Sequence, residues 1–201
     1  MYFLHTPPTQ KQEENPVIVM LHGRGADEND LSGLSGHLDP RFDIYSLRAP
    51  YQYLWGGYTW FELFDDGTVD EKTYQHSIQE AHQFISTLSS KQIFLLGFSM
   101  GAMMSYSLAL TNPTHYKGIV CMSGFAPPQL EHSYKLSELR HLNIFVSHGT
   151  EDPVIPVDLA RRTKQLLDPS EAELFYKEYS MGHEITEECI TDAAAWLRRL
   201  L

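Results

Sequence analysis

The sequence predicts an α/β fold: a mainly parallel, doubly wound sheet flanked by helices, with no lid domain. Three observations lead there. Short uncharged runs rich in β-branched and large apolar residues, such as Val17 to Leu21 and Ile119 to Met122, suit strands covered on both faces. Longer stretches with apolar residues at helical spacing alternate with them, which implies parallel strands joined by crossovers. Most of these runs end at a glycine-containing turn, and in such sheets ligands gather at the carboxyl ends of the strands.

Taken in order, Val17 to Leu21 is the first buried strand and ends at His22-Gly23-Arg24-Gly25. Asp27 or Asn29 can cap a following helix that runs to about His37, with Leu31, Leu34 and Leu38 inward. Phe42 to Leu47 is the next strand, followed by a loop dense in aromatics and glycine from Tyr51 to about Asp70. Glu71 to Ser90 is the clearest helix, its stripe made by Tyr74, Ile78, Ala81, Ile85 and Leu88. Ile93 to Leu96 reads as a strand and Met100 to Leu110, rich in Ala, Met and Leu, as a helix closed by Pro113. Strands follow at Ile119 to Met122, Leu142 to Ser147 and Leu174 to Tyr179. A helix after Pro156 turns Leu159, Leu166 and Leu167 inward, and Glu187 to Leu201 forms the last helix on Ile190, Ala194 and Leu197.

Ile93 to Leu110 is also eighteen residues without a charge, long enough for a hydropathy scan to score as a membrane span. Two glycines, three serines and a change of period inside the run favour strand, turn and helix. With 201 residues, 42% of them hydrophobic, and no polar linker, one domain over residues 1–201 is expected. A net charge of −11 with 15 Lys plus Arg excludes the basic face that nucleic acid or an anionic membrane requires. Cys121 and Cys189 are too few and too far apart for a disulfide framework and are read as reduced core thiols. Met1 to Pro8 has neither a basic start nor an apolar run long enough for a secretory signal, so a cytoplasmic location is expected.

The chemistry centres on Gly97-Phe98-Ser99-Met100-Gly101. A G-x-S-x-G sequence lets a strand turn sharply into a helix and lifts the serine hydroxyl clear of the chain, as a nucleophile requires. Met100 then lies in the first helical turn, where unpartnered N–H groups and the helix dipole favour an oxyanion. A serine nucleophile needs a base and an acid that orients the base. Asp152 follows one predicted strand and His183 another, each on its own strand-end loop, Asp152 lying 53 residues after Ser99 and His183 31 residues after Asp152. Glu151 competes with Asp152 for the acid role, while Asp158 is read as a helix-face charge. His22 and His148 are read as loop-bracing groups. His22, His148, Asp152 and His183 lack close ligand spacing, so neither a metal nor another cofactor is expected.

Across most of its length the sequence resembles the phospholipase/carboxylesterase branch of the α/β-hydrolases. The resemblance is carried by Leu21-His22-Gly23-Arg24-Gly25 with Asp27-Glu28-Asn29-Asp30-Leu31, by Arg48-Ala49-Pro50 and by Gly57-Tyr58-Thr59-Trp60-Phe61. It continues through the Ser99 pentapeptide, His148-Gly149-Thr150-Glu151-Asp152-Pro153-Val154-Ile155-Pro156 and Gly182-His183. It implies that Ser99 attacks the acyl carbonyl, that His183 is base and then acid, and that Asp152, in the family's Asp-Pro pair, orients His183. It also implies an oxyanion hole from the backbone N–H groups of Arg24 and Met100.

Two features bear on substrate. Residues 125–141 are too few for a helical lid, so an open, shallow pocket is expected. Trp55, Tyr58, Trp60 and Phe61 are candidate substrate-binding residues, an aromatic wall for an acyl or aryl group; the competing reading is a satellite cluster holding down a long loop. The Arg24 side chain either meets an anionic substrate group or, as favoured here, pairs with Asp27 or Glu28 on the surface. The expected activity is hydrolysis of short- to medium-chain carboxylic esters, with thioester or lysophospholipid hydrolysis by the same triad as the alternative. Peptide hydrolysis and a non-catalytic binding protein on the same fold are weaker readings. The expected partner is a small ester, without nucleic acid or stable membrane association, and an aromatic loop beside an open pocket admits a homodimer surface.

Overall fold

The computed structural model describes residues 1–64 and 68–201. Among them a seven-stranded sheet runs in the order β1-β3-β2-β6-β7-β8-β9. Its strands are β1 (Phe3–Thr6), β2 (Val17–Leu21), β3 (Asp43–Leu47), β6 (Ile93–Phe98), β7 (Gly118–Met122), β8 (Asn143–Gly149) and β9 (Glu173–Tyr179). All neighbours pair in parallel except β1, which lies antiparallel on β3 at the edge. β1 is four residues of mixed polarity, too short to show a period in the sequence. A small hairpin, β4 (Tyr51–Gln52) and β5 (Tyr58–Thr59), folds part of the aromatic loop; residues 65–67 of that loop lie outside the described residues.

The central strands divide their side chains between two cores, as a period of two requires. Val17, Val19, Leu21, Ile93 and Leu95 face a core closed by the helices α1 (Glu71–Ile85), α2 (Met100–Thr111) and α3 (Val157–Leu167). Ile18, Met20, Phe94 and Leu96 face the opposite core, closed by α4 (Glu187–Arg198) and the segment around Leu31 and Leu38. The chain steps from β2 outward to β3 and then crosses to β6 on the other side of β2. The strand order therefore reverses between β2 and β6, and that switch point is where a doubly wound sheet opens a crevice.

Helix α2 explains the uncharged run. Eleven of its residues, Met100 to Leu110, are buried, so it has no solvent face and no use for charge. The helix is twelve residues long, and among the described residues no helix is long and apolar enough to cross a membrane. Three local expectations are corrected. The helix expected up to His37 is a 3-10 helix, Asp30–His37, without a side-chain cap from Asn29; two glycines within it weaken an α-helix. Helix α1, capped by Asp70 through the Thr73 N–H, ends at Ile85 rather than Ser90. Leu159 and Leu166 on α3 are only half-buried, and Ala160, Thr163 and Leu167 make its buried stripe.

Candidate active site

Ser99 sits between β6 and α2 with φ 54° and ψ −119°. A non-glycine residue there is strained by about 1–3 kcal/mol and persists only where the surroundings impose it. Those surroundings are visible. The Ser99 N–H donates to the Met122 carbonyl at 2.9 Å, and its carbonyl accepts from the Ala102 and Met103 N–H groups at 3.0 and 3.2 Å. A Cβ on Gly97 would overlap the Gly101 carbonyl, and one on Gly101 would overlap the Leu21 carbonyl. The two glycines let the backbone fold back on itself and let α2 start hard against β2.

His183 and Asp152 are supplied by two loops that are stitched together. The N–H groups of Thr150 and Glu151 donate to the carbonyls of Tyr179 and Met181 at 2.8 and 3.2 Å. His183 Nδ1 lies 2.8 Å from Asp152 Oδ2, and His183 Nε2 lies 2.9 Å from Ser99 Oγ. Because ionised Asp152 can only accept, Nδ1–H donates to it and leaves the Nε2 lone pair facing the serine hydroxyl. Phe98 packs on the His183 ring with centroids 5.0 Å apart. Burial pushes the Asp152 carboxyl up, but hydrogen bonds from His183 and from the Ile155 and Val154 N–H groups outweigh it and hold the group below the ordinary carboxylate range. Glu151 turns away to solvent and accepts from the Ser180 hydroxyl at 2.9 Å, so Asp152 rather than Glu151 is the carboxylate that meets His183.

The other two histidines face backbone. The Ala49 N–H donates to His22 Nε2 at 3.1 Å, so Nδ1–H donates to the Gly23 carbonyl at 2.7 Å. Burial lowers the His22 pKa and keeps the ring neutral. His148 Nε2 donates to the Ile155 carbonyl at 2.8 Å and lies 3.4 Å from Asp152 Oδ2. Among the described residues, no three His, Cys, Asp or Glu side chains converge in a way that could hold a metal ion.

Ser99 opens into a cavity of about 400 Å³, within the range of about 300–1,000 Å³ usual for small-molecule sites. Arg24 and Met100 line it beside Ser99, and among the described residues neither of their backbone N–H groups donates to a protein acceptor. Much of the far wall is apolar, with Met103 from α2, Phe125 and Ala126 after β7, and Leu159 and Leu166 from α3, and Gln129, Glu131, Arg162 and Thr163 add polar groups to it.

None of the four aromatic candidates lines this cavity, which corrects the aromatic-wall expectation. Trp60 and Phe61 are fully buried. The Trp60 indole N–H donates to the His22 carbonyl at 2.9 Å, and Phe61 packs on Tyr74 with ring centroids 4.7 Å apart. Tyr58 accepts from Arg48 Nη1 at 3.1 Å, and Trp55 is exposed in the turn between β4 and β5. The hairpin pairs through Tyr58 with Ala26, just past β2, and Trp60 and Phe61 join the main core rather than a satellite cluster, while Trp55 packs on neither. The pocket is also not the shallow one expected, because residues 125–131, with a 3-10 turn at Pro128–Ser133, wall it in without a lid domain. The sequence held one signal for this wall: Leu159 and Leu166 share a helix face, yet a period cannot tell a core from a cavity lining.

The pairing expected for Arg24 does not form. Glu28 is taken by Arg48 at 2.5 and 2.6 Å, and Asp27 accepts from the Asn29 N–H at 2.8 Å. The Arg24 guanidinium instead lies 4.5 Å over the Tyr53 ring.

Comparison with known proteins gives the family and the fold. The model of the family described as Phospholipase/Carboxylesterase matches residues 8–201. The acyl-protein thioesterase 1 of Kluyveromyces lactis is 26% identical, over 96% of this chain and 95% of that protein. The acyl-protein thioesterase 1 of Saccharomyces cerevisiae is 27% identical, over 94% and 95%. The crystal structure of the Bacillus cereus carboxylesterase shares the fold with a TM-score of 0.87 at 23% identity, over 99% of this chain and 94% of that one. The chain therefore belongs to the phospholipase/carboxylesterase family and is a serine hydrolase of the α/β-hydrolase fold.

Proposed function

We propose that the protein is a carboxylesterase that hydrolyses short- to medium-chain carboxylic esters through an acyl-serine intermediate on Ser99. The observation that carries this reading is the line of hydrogen bonds from Ser99 Oγ to His183 at 2.9 Å and on to Asp152 at 2.8 Å, at the mouth of an apolar cavity. As Ser99 Oγ attacks the acyl carbonyl carbon, its proton passes to His183 Nε2, and Asp152 stabilises the imidazolium that forms. The carbonyl oxygen becomes an oxyanion, received by the N–H groups of Arg24 and Met100. Collapse expels the alcohol, which takes the proton back from His183. Water, deprotonated by the same ring, then frees the acid and restores Ser99. The acyl chain lies along Met103, Phe125 and Leu166, where apolar contact gains about 25 cal/mol per Å² removed from water. No cofactor enters any step.

The experiment is a series of p-nitrophenyl esters of increasing acyl length, assayed with the wild-type chain and with Ser99→Ala. The wild type should show an optimum at short to medium length, and Ser99→Ala should fold normally, lose nearly all turnover and fail to react with a fluorophosphonate. Retained turnover in the variant would remove Ser99 from the mechanism. A second reading, thioester hydrolysis, is supported by the names of the relatives at 26% and 27% identity. Matched acyl esters and thioesters decide between them by their kcat/KM ratio.

A further inference from the structure

Arg24 is the residue whose surroundings the proposed reaction does not use up. Its backbone N–H is assigned to the oxyanion, but its side chain is exposed at the same cavity. The neighbouring acids are engaged elsewhere: Glu28 with Arg48, and Asp27 with the Asn29 backbone and side-chain amides. Among the described residues no carboxylate lies within ion-pair distance of Arg24. The guanidinium is nevertheless held in place, 4.5 Å over a Tyr53 ring whose backbone N–H is tied to the Gly57 carbonyl at 2.9 Å. Stacking uses the face of a guanidinium and leaves its in-plane N–H donors free for a planar or tetrahedral anion. The other cation at the cavity, Arg162, is already bound to Glu131 at 2.8 Å.

The charge balance makes this position unusual. A chain of net charge −11 repels anions at long range, so a stacked cation beside the nucleophile, with no ion pair among the described residues, is a local exception. Beyond Ser99 the side chains of Met103, Phe125, Ala126, Leu159 and Leu166 give the cavity an apolar wall that suits an uncharged acyl chain, while Arg162 and Glu131 there neutralise each other. With the acyl chain on that apolar wall, an anion met by the Arg24 side chain at the Ser99 end of the cavity belongs to the departing portion of the substrate. We infer that Arg24 binds an anionic group, a carboxylate or a phosphate, on the alcohol or thiol portion of the substrate and selects for esters that carry one. The inference rests on the reading of Ser99 as the nucleophile given above.

The test uses three esters with the same acyl chain: para-butyryloxybenzoate, its uncharged methyl ester, and para-butyryloxyphenyl phosphate. For the wild type, Arg24→Gln and Arg24→Lys, kcat/KM is measured on each, and the anionic-to-neutral ratio is compared between proteins so that leaving-group differences cancel. Loss of a charge-assisted hydrogen bond should lower that ratio about ten-fold or more in Arg24→Gln, with part of it kept in Arg24→Lys. In the wild type alone, added salt should depress turnover of the charged esters and spare the methyl ester. Whichever anion shows the larger Arg24-dependent ratio is the better match. A ratio unchanged within about two-fold in Arg24→Gln overturns the inference while turnover of the methyl ester keeps the esterase reading intact. If the wild type cleaves none of the three and Ser99 is unreactive, the esterase reading falls and this inference falls with it.

Discussion

At Ser99 two costs meet. The residue is held in backbone space that L-amino acids avoid, φ 54°, and its hydroxyl depends on a histidine 84 residues away in the chain. Both are met by groups whose own positions are over-determined. Asp152 shows this best: Oδ1 accepts two backbone N–H groups at 2.8 Å each, while Oδ2 faces His183. Rotation to another rotamer would break three hydrogen bonds. Asp152→Asn should therefore leave the fold intact but lower kcat by about three to four orders of magnitude, because an amide donor at Oδ2 would favour the wrong tautomer of His183. Glu151→Gln, one position earlier and exposed, should leave kcat near the wild-type value. Ester-hydrolysis kinetics on the two variants check both statements; equal losses would mean that Asp152 is not the orienting acid.

At the scale of elements, the unit to be explained is β6, the Ser99 turn and α2. The turn works because α2 begins in contact with the carboxyl end of β2, a contact only glycine at position 101 permits. Gly101→Ala should destabilise the chain by more than about 3 kcal/mol, since the obstacle is backbone and no rotamer change relieves it. A urea titration of the variant checks this, and a midpoint within error of the wild type would show that β2 and α2 can separate. The element boundaries explain what was and was not legible. Strands β2, β6, β7 and β8 were visible because burial on both faces demands uninterrupted apolar runs. β1 and the β4–β5 hairpin were not, because strands of four and two residues carry too little pattern. The Asp30–His37 segment had the right leucines, but Gly33 and Gly36 left it a 3-10 helix.

For the molecule as a whole, two groups near the end of β2 contribute to the acid response, beside Asp39, Asp70, Asp152, Glu178 and Asp192, whose carboxyls hydrogen bonds also hold low. Burial lowers the His22 pKa from its ordinary 6.5, more than hydrogen bonding to Gly23 and the nearby Asp30, Asp27 and Glu28 raise it. The unfolded chain then binds the proton that the folded chain refuses. The His22 contribution is fully present above about 6.5 and is lost as pH falls below it. Glu28 acts lower down: the Arg48 hydrogen bond holds its pKa below the ordinary 4.5, so its contribution persists above that value and fades as pH falls through the folded pKa. Thermal unfolding should thus show Tm falling in two stages on acidification. His22→Gln should weaken the first stage, which half-buried His115 shares, and Glu28→Gln should weaken the second, which Asp39, Asp70, Asp152, Glu178 and Asp192 share, each from a lower starting Tm. A wild-type Tm that does not change between pH 7 and about 5 would contradict the role given to His22.

What the sequence determined by itself is the alternation of strand and helix, the strained serine turn, and the placement of Ser99, Asp152 and His183 on loops at one edge of a parallel sheet. These are local properties: a period, a glycine pair, a loop after a strand. What only the tertiary structure decided is which groups meet. It brought Asp152 rather than Glu151 to His183, sent Trp60 and Phe61 into the core, gave the cavity wall to Met103, Phe125, Leu159 and Leu166, and matched Glu28 with Arg48 instead of Arg24. Each of those outcomes is a competition between partners distant in the chain. Such a competition is settled by distance, burial and available hydrogen-bond partners, none of which is a property of any one stretch of sequence.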